Sequence, residues 1–184
     1  MKRHIFVSIF IAGIVLTSQG AAGADSLVYA APDFSIVRGT TIAVAPFQNL
    51  TQAQHAGDTV SNYIVTTFAR SRMFRVYGEN LFQIRMPYAG LNPALPVDRS
   101  IAMQIGQPAG LNYVIFGSVV EYGYQLTPQG SRTLPIVGVD VRIVDIHSGR
   151  IVFAGSFAKE GASGGTLDGV AKKVVREFYE KAVK

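Results

Sequence analysis

Three runs rich in β-branched and aromatic residues, Tyr113–Tyr124, Val137–Val144 and Arg150–Phe157, crowd the second half of the chain and constrain its fold more than any other feature. Such residues fit a pleated, half-buried surface. In the middle run Val137, Val139, Val141 and Ile143 fall on one side while Asp140 and Arg142 fall on the other, the alternation of a strand with one face in the core. Its second face is wet or interfacial. Asp145, Ser148 and Gly149 supply the turn chemistry for a tight connection, so the second and third runs form a hairpin. In the third run Ile151, Phe153 and Phe157 alternate with Arg150, Val152 and Ala154.

Helices are read from a different spacing. Thr41 to Phe47 (TIAVAPF) is a short apolar strand of the kind buried on both faces, and the polar turn Asn49-Leu50-Thr51 leads from it into a helix over roughly residues 54–70. Val60, Tyr63, Ile64, Thr67 and Phe68 make one helical face there. Met73–Tyr77 alternates as a half-buried strand, Glu79–Arg85 reads as a short helix, and residues 86–97, with three prolines and Gly90, read as a surface excursion. A further helix spans Asp98–Ile105 and stops at Gly106 and Pro108. After the glycine-rich stretch Gly161–Gly165, Thr166 caps a last helix with Leu167, Val170, Ala171, Val174 and Phe178 in a stripe. The order β-α-β-α-β-β-β-α predicts an α/β fold with a mixed sheet packed with helices.

The chain's 184 residues suit one domain, placed at 41–184 behind an extended segment at 25–40. Residues 1–24 read as a secretory signal: Lys2 and Arg3, an apolar run from Ile5 to Leu16, then small residues ending in Ala22-Gly23-Ala24. That run is shorter than the about 20 residues a spanning helix needs. Cleavage after Ala24 lowers the formal charge from +5 to +3. With no basic run longer than Lys172-Lys173, nucleic acid is not an expected partner. No cysteine is present, which excludes disulfides, thiolate metal sites, cysteine nucleophiles and acylation at an N-terminal cysteine.

Catalytic patterns are equally sparse. Behind the signal only His55 and His147 remain, one at a helix start and one in the Asp145–Gly149 turn, and no His-x-x-x-His pair or carboxylate cluster accompanies them. Gly161–Gly165 lacks the lysine and hydroxyl of a phosphate loop, since Thr166-Leu167 follow it. The expectation is a protein that is not an enzyme and holds no metal or cofactor. What stands out instead are aromatics on strands, Tyr113, Phe116, Tyr122, Tyr124, Phe153 and Phe157. Most are core residues, and those near strand ends suit an interface with another copy or a lipid headgroup layer.

Ile42 to Thr51 (IAVAPFQNLT) before a helix, Gly117 to Tyr124 (GSVVEYGY), and Val139 to Asp145 followed by Ser148 to Phe153 resemble the CsgG-like and PelC-like periplasmic proteins over most of residues 41–180. The likeness is greatest to the PelC-like branch. It implies a CsgG/TolB-N-like sandwich and a ring-forming, non-enzymatic accessory protein on the inner side of the outer membrane, one that helps pass a polymer, most simply an exopolysaccharide, to an outer-membrane pore. Proteins of these families are usually lipoproteins. Without a cysteine, this chain would instead hold the membrane through aromatics or a partner, and Phe153, where PelC-like sequences carry tryptophan, is singled out with Tyr122 and Tyr124 as membrane- or subunit-facing. Two other implied readings stay open, an LpoB-like activator of a cell-wall synthase and an accessory of a flagellar or secretion basal body.

Overall fold

A computed structural model describes residues 26–127, 130 and 132–183; the signal segment and its cleavage point lie outside the described residues. Seven strands and four helices follow in the order β1 (Leu27–Ala30), β2 (Thr41–Val44), β3 (Gln48–Asn49), α1 (Ala56–Arg70), β4 (Arg75–Tyr77), α2 (Asn80–Tyr88), α3 (Arg99–Gly106), β5 (Tyr113–Leu126), β6 (Thr133–Asp145), β7 (Ile151–Glu160) and α4 (Leu167–Ala182). All strands join one sheet in the order β1-β7-β6-β5-β2-β4, with β3 added along β5. β2 is parallel to β4 and β5, and β3 to β5, whereas the pairs β5–β6, β6–β7 and β7–β1 are antiparallel. The expected mixed α/β architecture therefore holds. It gains β1, read from sequence only as part of an extended segment, and β3.

The sheet separates two cores. On its inner face α1 and α4 lie side by side, and Val60, Ile64 and Phe68 of α1 meet Val170, Val174 and Phe178 of α4 over Ile115, Val137, Val139, Val141, Ile143, Phe153 and Phe157. On its outer face α2 and α3 bring Phe82, Met86, Ile101 and Ile105 onto Ala43, Val114, Phe116 and Val144. Each fully buried large side chain stabilises the fold by about 1.5–3 kcal/mol relative to exposure. The helical faces read from sequence are the buried ones, although Tyr63, Thr67 and Leu167 stay half-exposed at their margins.

Local chemistry sets the boundaries. Asp98 caps α3 by accepting the Ile101 N–H at 2.8 Å, and Thr166 caps α4 by accepting the Gly169 N–H at 3.1 Å. In the β6–β7 turn Asp145 Oδ1 accepts from the N–H groups of His147 and Ser148 at 2.8 and 3.2 Å, and Gly149 takes φ 67°. α2 runs three residues further than its sequence reading, to Tyr88, with Pro87 in its final turn. One strand phase is corrected as well. The register slips between Ile143 and Val144, so Ile143 opposes Phe153 but Val144 opposes Ile151. Val152 is the extra residue of a bulge, which turns Ile151 toward the outer core while Phe153 and Phe157 face the inner one.

Candidate interaction surfaces

β5 and β6 extend past the strands that flank them and form an arm. A slip between Val119 and Glu121 re-phases β5, after which Tyr122 opposes Val137 and Tyr124 opposes Pro135 on the inner face. Leu126 comes next on that side, and the sequence climbs out of the core as it goes: Tyr122 is half-buried, whereas Tyr124 is 56% and Leu126 67% exposed. The Tyr122 hydroxyl donates to Asp168 Oδ1 at 3.3 Å, tying the arm to the first turn of α4. Burial first, and the Asp168 charge second, push the Tyr122 pKa up to about 12, so its proton stays on the hydroxyl at neutral pH. On the opposite side Gln125 Nε2 donates to Glu160 Oε2 at 2.7 Å and braces the arm against β7.

A second surface is the outer face of the sheet where α2 and α3 do not reach. Leu27 and Tyr29 of β1, Ala154 and Ser156 of β7, and Asp140 and Arg142 of β6 surround a shallow hollow of about 300 Å³ there. Leu27 is 80% exposed and Tyr29 51%. Ser156 donates to Asp140 Oδ1 at 2.5 Å, which holds that carboxylate flat against the sheet, while Arg142 beside it is exposed. Exposed apolar side chains rimmed by polar ones are the composition of an interaction site. Sequence alternation marked the Asp140 and Arg142 side of β6 as wet or interfacial, but Leu27 and Tyr29 carried no signal. They reach this face only because β1 pairs with β7 in the register Leu27 to Ser156 and Tyr29 to Ala154.

The three aromatics singled out from sequence do not form one patch. Phe153 is fully buried, with ring centroids 6.0 Å from Phe34, 6.5 Å from Phe157 and 5.6 Å from Phe178. Its phase with Ile143 aims it under α4, so the expectation of a membrane- or subunit-facing Phe153 is corrected to a core residue. Tyr122 and Tyr124 share the inner side of the arm. His55 begins α1 in the left-handed region, φ 59°, with Nδ1 3.2 Å from Asp58 Oδ2, and exposed His147 sits in the β6–β7 turn. The two are on separate elements. Among the described residues no group of three or more His, Cys, Asp and Glu side chains is placed to hold a metal ion, and no helix is long and apolar enough to cross a membrane.

The model of the family described as "Curli production assembly/transport component CsgG" matches residues 19–177. No protein of curated function matches by sequence. Among solved structures, a PelC dodecamer from Paraburkholderia phytofirmans superposes with a TM-score of 0.66 and 20% identity, covering 87% of this chain and 98% of that one. A point variant of that dodecamer gives 0.66 and 22%, covering 86% and 96%. The lipoprotein GNA1162 from Neisseria meningitidis gives 0.54 and 18%, covering 77% and 96%.

Proposed function

The chain belongs to the CsgG family, and from that membership we propose that it is a non-enzymatic, ring-forming periplasmic component of an outer-membrane export or assembly machine, with an exopolysaccharide as cargo. The observation that carries this reading is the family match along residues 19–177, joined to the likeness to a protein that crystallises as a dodecamer. Two features of the chain support the reading, one for self-association and one for contact with the membrane or a pore. The outer sheet face offers Leu27 and Tyr29 beside Asp140 and Arg142, a mixture of apolar area and opposite charges that a second copy can match. The arm presents Tyr124 and Leu126 away from the core, where aromatic and aliphatic side chains suit an outer-membrane pore or a headgroup layer. A ring repeats each such weak contact once per subunit, so a chain without an acylatable cysteine still gains a durable hold on the membrane.

Light scattering on protein recovered from the periplasm tests the assembly. The expected mass is a fixed multiple of one chain, and Leu27→Asp with Tyr29→Asp is expected to return it to one chain with an unchanged circular dichroism spectrum. A strict monomer at every concentration, with and without membranes, overturns the ring.

A further inference from the structure

Below the base of the arm, where Tyr63 and Tyr122 share Asp168, the flanks of α1 and α4 enclose a groove of about 390 Å³ lined by Tyr63, Thr66, Thr67, Arg70, Lys172 and Arg176. That volume lies within the range of about 300–1,000 Å³ typical of small-molecule sites. Half of the lining side chains are cations, against the single carboxylate of Asp168 that borders the groove beside Tyr63. Lys172 and Arg176 stand one turn apart on α4 and face Arg70, the last residue of α1. Among the described residues none of the three has a carboxylate within 4.0 Å, although Arg150, Lys159 and His55 each do. Three like charges around one groove repel one another, and an anion seated between them removes that cost. We propose that this groove binds a carboxylated sugar unit of an anionic glycan.

The two halves of such a ligand have separate partners. An arginine fork matches a planar carboxylate with two parallel hydrogen bonds, and Arg70 and Arg176 offer one fork from each helix. Lys172 Nζ lies 5.0 Å from the centre of the Tyr63 ring, which positions its charge over the groove floor. The sugar hydroxyls find Thr66, since the Thr67 hydroxyl is engaged, donating to the Tyr63 carbonyl at 2.7 Å, and the Tyr63 hydroxyl is turned to Asp168. Burial first and the Asp168 charge second raise the Tyr63 pKa, and the same carboxylate accepts from its hydroxyl.

Calorimetry with oligogalacturonate as the probe tests this on the full chain. Binding is expected at low salt and expected to weaken as salt rises. The triple variant Arg70→Gln, Lys172→Gln, Arg176→Gln should lose at least about tenfold in affinity. A control triple, Arg38→Gln, Arg75→Gln, Arg85→Gln, removes the same charge from exposed positions elsewhere and should bind as the parent does. Neutral dextran fragments should not bind. Failure of oligogalacturonate to bind the parent, or an equal loss in both triple variants, overturns the proposal. So does groove-dependent binding to phosphatidylglycerol vesicles without oligogalacturonate binding, which assigns the groove to a lipid headgroup. Affinity is read per chain, so a monomer that binds oligogalacturonate keeps this inference while the ring falls.

Discussion

Replacing Phe153 with alanine leaves a hole bordered by Phe34, Phe157 and Phe178, and truncating a buried phenylalanine costs about 3–5 kcal/mol. Urea unfolding of Phe153→Ala is expected to show a lower midpoint at unchanged slope, with any loss of membrane binding following the loss of fold. Tyr122 behaves differently because its hydroxyl is tied to Asp168 at the base of the arm. Its pKa is raised in the folded chain to about 12 from the ordinary 10.0, so its contribution to stability is fully present below pH 10 and is lost as pH climbs through about 12. Tyr122→Phe should therefore melt closer to the parent at pH 12 than at pH 8, measured as the difference between the two thermal midpoints. A difference that stays constant across that range would show that folding does not raise the Tyr122 pKa. The sequence pointed to Phe153 through its matching position in PelC-like proteins and to Tyr122 as an aromatic near a strand end. Only the strand register separates them, one under α4 and the other at the margin of the core.

Helix ends divide into those that local chemistry fixes and those that packing fixes. Thr166 belongs to the first kind: its side chain accepts the Gly169 N–H, so Thr166→Ala should lower stability by about 1 kcal/mol while Thr166→Ser keeps most of it, read from urea midpoints. That cap and the Asp145–Gly149 turn were legible, since each needs only residues within a few positions of itself, whereas Asp98 was read as the first residue of its helix and proves to cap it. The start of α1 was placed to within two residues, at roughly 54 against Ala56, but the way the chain enters it was not legible. His55 enters it in the left-handed region with no side-chain cap, and a side-chain carbon built on Gly57 would come within 2.2 Å of the Phe47 carbonyl oxygen. The chain bends there to press the helix onto the segment between β2 and β3. The bulge at Val152 was hidden for a related reason, because a single strand cannot reveal where its partner loses step. Alternation in β6, by contrast, told correctly which side is core, since no slip lies within Val137–Ile143 opposite β7.

At the scale of the whole molecule, a mixed sheet packed with helices followed from the succession of periods along the sequence, whereas the likeness to CsgG-like proteins rested on particular stretches, Ile42–Thr51, Gly117–Tyr124 and Val139–Phe153, and the division of the helices between the two faces came only with the structure. The candidate surfaces followed only in part: the outer-face hollow needs residues from β1, β6 and β7, and the α1–α4 groove joins side chains that lie at opposite ends of the domain. No local pattern encodes such meetings. The strand that completes the sheet has a further consequence for how the molecule is made. Among the described residues β1 is the first strand in the chain, yet its partner, β7, is the last. Closing that seam is the most non-local step in the chain, with a correspondingly large loop-closure entropy. Until it closes, the edge of β7 stays open to the identical four-residue strand of any neighbour, so that nascent chains crowded together are poised to exchange first strands.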